Sequence, residues 1–217
     1  MQKTIALGSL AVGCLVTLVL GLSNVTTANG QTAPKAQDLK PAAGFMEITD
    51  EKKRSVALFE EAGKVILHPR CVNCHPATQR PTQNMAMTPH QPPVSRGEAD
   101  MGVPGMTCNT CHGTENVKVV SQAETIKSIP GHPNWHVAPI EMAWQNKSLG
   151  AICTQIKDPA RNGGKTLDQI TEHMAHDSLV GWGWNPGEGR EPAPGTQAEF
   201  GELIKAWVET GAACPAG

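Results

Sequence analysis

The chain has no tyrosine, and its 217 residues include only 3 Phe and 5 Trp. Domains of this size ordinarily lean on more aromatic area to build a core. A surplus of positive charge is also missing: 18 Lys and Arg stand against 20 Asp and Glu, for a formal net charge of -2. That balance excludes a nucleic-acid binder that grips phosphates with a basic face. Beyond residue 22 there is no long apolar run, and mean hydropathy is -0.28, which excludes a polytopic membrane protein. Strand-like alternation of useful length is absent. What is plentiful is of another kind: 22 Gly, 17 Pro, 8 His and 7 Cys. Few aromatics beside many potential ligands imply a core completed by something other than protein.

The N-terminus reads as a targeting segment. Lys3 is the sole charge through residue 34, Ile5 to Leu22 is almost unbroken apolar sequence, and Ser23 to Gly30 is small and polar. This order of charged, apolar and small-polar regions predicts a signal peptide over 1–30, cut near Ala28. The alternative is an uncleaved anchor formed by 5–22. Cys14 lies inside the apolar run and is read as part of the signal. Export predicts a periplasmic, oxidising location for the remainder.

Six cysteines remain: Cys71, Cys74, Cys108, Cys111, Cys153 and Cys214. Four of them form Cys71-Val72-Asn73-Cys74-His75 and Cys108-Asn109-Thr110-Cys111-His112. Both are C-x-x-C-H, the attachment pattern of a c-type haem. Two thiols three residues apart on one turn meet the two vinyl groups of a porphyrin, and the adjoining imidazole meets the iron. A zinc site uses C-x-x-C pairs but needs no His directly after each. A thioredoxin-like reading needs a βαβ context, which is missing. Two haem c groups are therefore expected, with His75 and His112 as proximal ligands. Cys153 and Cys214 are expected to form a disulfide, the alternative being two buried free thiols.

On these ten residues and the export signal, the chain resembles the multihaem c-type cytochromes. The first cysteines of the motifs stand 37 positions apart. That is too few for a separate small cytochrome domain around each, so one compact unit around both haems is expected. The fold class expected is mainly α with long irregular loops, the porphyrins serving as core.

Six further histidines are available for the distal positions. His90 ranks first, in the Pro-flanked segment Thr88-Pro89-His90-Gln91-Pro92-Pro93. The order of motif, Pro-His element and motif resembles the small dihaem subunit of periplasmic nitrate reductases, and that resemblance implies an axial role for His90. The second position stays open among His136, His68 and His173, in that order. His136 adjoins Trp135, His68 precedes Cys71 by three residues, and His173 shares a helix face with His176. His132, in a loop after Gly131, is expected to be exposed. Met85, Met87, Met101 and Met106 are rival ligands, which would raise the potential.

Residues 31–48, rich in Pro, Ala and Gln, read as a flexible leader. A dihaem-binding region is expected over 49–147, opened by a helix from Thr49 or Asp50 to about Leu67 with Val56, Phe59, Ala62 and Ile66 inward. A helical region over 148–217 is expected to pack on the haem core. Ser148 starts a helix to Lys157, and capping boxes at Thr166 and Thr196 open two more. The last of these places Phe200, Leu203, Ile204 and Trp207 on one face. Residues 181–187 read as a turn-rich aromatic loop. The segments 135–139, 158–164 and 189–195 resemble a poorly characterised family of exported haem proteins, some labelled subunits of an isoquinoline-type oxidoreductase. Arg161 and Arg190 are offered to haem propionates, with an ordinary surface role as the alternative. The expected function is electron transfer between redox protein partners, a periplasmic oxidoreductase among them, with no nucleic acid and a membrane only if the N-terminal segment is uncleaved. The alternative is a peroxidase-like dihaem enzyme with one open or displaceable axial position.

Overall fold

The computed structural model describes Met1 and residues 38–119 and 128–217. The signal peptide, the anchor alternative and residues 31–37 of the leader lie outside the described residues. The described residues from Asp38 onward form one compact unit. It is mainly helical, with α1 (Glu51–Ile66), α2 (Pro69–Val72), α3 (Leu149–Ile156), α4 (Leu167–His176), α5 (Ser178–Gly181) and α6 (Gln197–Glu209). Three antiparallel hairpins, too short to show as alternation in sequence, stiffen the loops. They pair β1 (Thr82–Gln83) with β2 (Thr88–Pro89), β3 (Gly102–Val103) with β4 (Met106–Thr107), and β5 (Val117–Lys118) with β6 (Ser128–Ile129).

Helix starts follow local chemistry. Asp50 caps α1 by accepting from Lys53 N at 3.0 Å, and Ser148 caps α3 by accepting from Ala151 N at 3.2 Å. Thr166 and Thr196 open α4 and α6 with reciprocal capping boxes. Each cap satisfies an amide that the helix leaves without a carbonyl, worth about 1 kcal/mol. Residues 181–187, expected as a turn-rich loop, begin at the end of α5 and continue in a short 3-10 turn at Trp182–Trp184.

α1 packs on α6, and α6 on α4. The buried face of α1 is Ser55, Leu58, Phe59, Ala62, Val65 and Ile66; Val56, expected inward, is only half-buried. The face expected on α6 is buried as read, from Phe200 to Trp207. Close approach of α4 and α6 requires glycine at 201, where a Cβ would stand 2.5 Å from that of Ala175. Leu39 and Phe45 join this core through a 3-10 turn at Ala42–Phe45, so residues 38–48 are an anchored strap and not a flexible leader. Its two large apolar side chains are diluted among small and polar neighbours, which hid them from a compositional reading.

The helical core is filled by its own side chains, Phe59 against Trp207 at its centre with ring centroids 4.7 Å apart. Aromatic scarcity is met by concentrating Phe45, Phe59, Trp144, Phe200 and Trp207 in buried positions. Among the described residues of 76–143, by contrast, Pro76 and Val137 are the only buried apolar side chains larger than glycine.

Cys153 on α3 bonds to Cys214, tying the tail after α6 across a separation of 61 residues. Closing a loop of that length removes about 4 kcal/mol of unfolded-state entropy. The Cys153→Ala, Cys214→Ala double variant is expected to lose about 2–5 kcal/mol in urea unfolding. A loss below 1 kcal/mol (about a fivefold change in the equilibrium constant) would show that packing alone fixes the tail.

Candidate functional site

The first motif sits on and just after α2. His68 caps this turn, its Nδ1 accepting from Arg70 N at 3.2 Å. Cys71 and Cys74 follow on the same turn, and both are unpaired thiols. Burial pushes the Cys71 thiol up to about 12, helped by the neighbouring Cys74. Cys74 is pushed up to about 11 by burial. Both thiols are therefore protonated. His75 donates from Nδ1 to Met142 O at 2.8 Å. Its ring stacks on Trp144, centroids 3.7 Å apart and planes within 7°. Trp144 is held in turn by Nε1 donating to Gln155 Oε1 on α3 at 2.8 Å. Burial lowers the His75 pKa to about 4, so the ring is neutral.

The second motif repeats this design. Cys108–Thr110 is a 3-10 turn, and His112 donates from Nδ1 to Pro130 O at 2.8 Å. The β5–β6 hairpin returns the chain so that Pro130 meets His112. Gly131 follows, where a Cβ would collide with Glu115 O, so this return needs glycine. His112 stacks on Trp135, centroids 4.7 Å apart and planes within 14°. Trp135 meets the edge of Trp182 at 4.9 Å. Burial lowers the His112 pKa also. Each motif thus carries a neutral imidazole braced by a backbone carbonyl on one side and an indole on its face.

His90 lies beside the second motif, its ring centroid 6.0 Å from that of His112 and tilted by 60°. The β1–β2 hairpin delivers it. Its N–H donates to Pro81 O at 2.9 Å, and its carbonyl accepts from Arg80 Nη2 at 2.6 Å. Its Nδ1 donates to Pro92 O at 3.0 Å.

The other candidates separate by which ring nitrogen is engaged. His136 donates from Nδ1 to Asn134 O at 2.5 Å. His173 donates from Nδ1 to Asp177 Oδ2 at 3.3 Å. His68 differs: with Nδ1 accepting, its neutral ring carries the proton on Nε2, so it caps a helix and presents no Nε2 lone pair. His132 is half-buried with both nitrogens engaged, Nδ1 accepting from Asn134 N at 3.1 Å and Nε2 facing Ser178 Oγ at 2.9 Å. His176 is exposed beside Glu172. Five rings, His75, His90, His112, His136 and His173, hold Nδ1 as donor and have no partner for Nε2 among the described residues.

A cavity of about 380 Å³ adjoins the first motif, within the roughly 300–1,000 Å³ of ligand pockets. Cys71, Cys74 and His75 line it, as do Trp135, His136 and, from α4, His173 and Met174. Trp135 therefore faces this cavity while stacking on His112 of the other motif. The rival ligands Met85, Met101 and Met106 are exposed, and neither they nor Met87 line the cavity.

Two arginines escaped the sequence reading. Arg96, 3% exposed, donates to Asp100 Oδ1 at 2.8 Å, Ala138 O at 2.6 Å, and Pro76 O and Thr78 O at 3.1 Å each. It clasps the loop after the first motif to the loop between motifs and to 138. Arg70 lines the cavity, with Nε donating to Glu191 O at 2.6 Å. Of the arginines the sequence reading proposed, Arg190 is taken up by Ser128 and Arg161 is exposed outside the cavity. An arginine's neighbours across a loop leave no spacing pattern, so nothing in the sequence marked Arg96.

Among the described residues no three His, Cys, Asp or Glu side chains gather as a metal-binding group, and no helix is long and apolar enough to cross a membrane. No protein family, no curated protein and no solved structure matches the chain.

Proposed function

We propose that the chain is an exported electron-transfer protein that holds two haem c groups. One is linked through Cys71 and Cys74 with His75 on its iron, the other through Cys108 and Cys111 with His112. The observation that carries this reading is the common polarity of the five histidines. A backbone carbonyl or a carboxylate takes each Nδ1 proton, which fixes the tautomer and aims the Nε2 lone pair outward, as in ligating histidines. Both motif histidines are in this set, and both histidines whose Nδ1 accepts lie outside it.

Further support comes from His90. Its ring centroid stands 6.0 Å from that of His112, close enough that both imidazoles could hold one group. The cysteines point the same way. Cys153 and Cys214 are paired while four motif thiols are not, and in an oxidising compartment unpaired thiols at C-x-x-C spacing need another covalent fate. A protein-only zinc centre needs about four ligands at one point, and the two motifs do not converge on one.

When bound, haem supplies a one-electron ferric/ferrous couple. The chain's own residues set its surroundings. Met142 O and Pro130 O orient the proximal rings, Trp144 and Trp135 cover their faces, and Arg70 and Lys165 offer cations at the cavity. Trp135 joins the surroundings of the two sites, which suits passage of electrons between them.

The test is a spectrum of the matured protein. Two low-spin haems that take up cyanide slowly are expected. His90→Ala is expected to convert one of them to high spin while leaving haem content and the helical circular dichroism signal unchanged. Two low-spin haems in that variant contradict His90 as a ligand, and a resting high-spin haem in the wild type that binds cyanide quickly favours the peroxidase-like enzyme.

A further inference from the structure

Resting on the haem reading, we infer that His173 on α4 is the second axial ligand of the group held by Cys71, Cys74 and His75, and that Asp177 is the positioning residue that fixes its ring. His136 is the natural sequence choice, lying beside Trp135. The surroundings of the two rings favour the other.

His173 and Met174 bring the C-terminal turn of α4 to the cavity that the first motif also lines. A helix anchored by a capping box at Thr166 and packed along α6 holds a ligand more firmly than a loop does. His136 sits in irregular chain, its Nδ1 bonded to a carbonyl only two residues away.

The partner on Nδ1 differs in kind. His136 donates to a neutral carbonyl, and His173 to a carboxylate. Asp177 is itself fixed, because its other oxygen caps α5 by accepting from Leu179 N at 2.8 Å and Val180 N at 3.2 Å. Carboxylate, imidazole and cavity thus form a chain of the kind that orients metal-bound histidines and raises their basicity. A more basic axial ring favours the ferric state and lowers the potential. The His112 site has carbonyls on both of its rings, so the two haems are expected to differ in potential, with the carboxylate-backed one lower.

The experiment uses the full chain, matured with haem, in four variants: His173→Ala, His136→Ala, Met174→Leu and Asp177→Asn. Haem content is read by intact mass, spin state by electron paramagnetic resonance, and potentials by spectroelectrochemistry. His173→Ala should keep two haems and turn one low-spin signal high-spin, with added imidazole restoring it. His136→Ala and Met174→Leu should keep both low-spin. Asparagine also caps helices, so Asp177→Asn should keep α5, both haems and low spin, yet raise one potential and not the other. Two low-spin haems in His173→Ala overturn the assignment, as does high-spin conversion by His136→Ala or Met174→Leu instead. An unmoved potential in Asp177→Asn overturns the positioning role. A wild-type chain without covalent haem overturns the underlying reading and this assignment with it, which separates the two failures.

Discussion

Arg96→Ala is expected to lower stability by about 3–5 kcal/mol, the usual cost of removing one partner from a buried ion pair. The guanidinium is 3% exposed and bonds to Asp100 and to the carbonyls of Pro76, Thr78 and Ala138. Deleting it leaves those oxygens in the interior without a donor. The damage should fall on the loop half. Ala138 N donates to Cys74 O at 2.8 Å and Val137 N to Asp100 O at 3.1 Å, so the clasp lies one bond from the first motif. Lysine cannot reproduce the planar fork, and Arg96→Lys should recover only part of the loss. Urea unfolding gives the magnitude, and limited proteolysis the place, with new cuts expected in 76–107 before any in α6. A change under 1 kcal/mol, or cuts confined to the helical half, would contradict the clasp.

The second large effect lies in the other half. Trp207→Ala is expected to cost about 3–5 kcal/mol through lost burial and a cavity. Trp207 is fully buried against Phe59, and its Nε1 donates to Ala213 O at 2.9 Å. Its own carbonyl accepts from Ser55 Oγ at 3.2 Å, and Ser55 Oγ accepts from Ala213 N at 2.9 Å. One side chain therefore joins α1, α6 and the disulfide-tied tail. Against a domain stability of about 5–15 kcal/mol, this loss should lower the unfolding midpoint of the whole helical core. Local loosening of the motif loops without a shift in that midpoint would show that the core tolerates the cavity.

These two variants reflect how the molecule divides. Helices α1, α3, α4 and α6 were legible because caps and 3.6-residue periodicity are local: Asp50, Ser148, Thr166 and Thr196 each announce a start. The disulfide was legible from the two cysteines left over after the motifs. The strap of 38–48 was not, because two anchors, Leu39 and Phe45, fall below any periodic signal. In the site, the two C-x-x-C-H patterns stand out by spacing, and His90 by the Pro-flanked segment that holds it. The ranking of His68 and His173 was not legible. His68 differs from the other candidates in that its Nδ1 accepts where theirs donates, and only three-dimensional neighbours decide that. Arg96 and the Trp144–Gln155 bond join residues across loops and carry no pattern along the chain.

The most direct test of two covalent haems is the intact mass of the exported, matured chain under denaturing conditions, with a thiol-alkylating reagent present. The account predicts the mature polypeptide plus two haems, with Cys71, Cys74, Cys108 and Cys111 closed to alkylation. A mass equal to the polypeptide alone, with those four thiols alkylated, would contradict it.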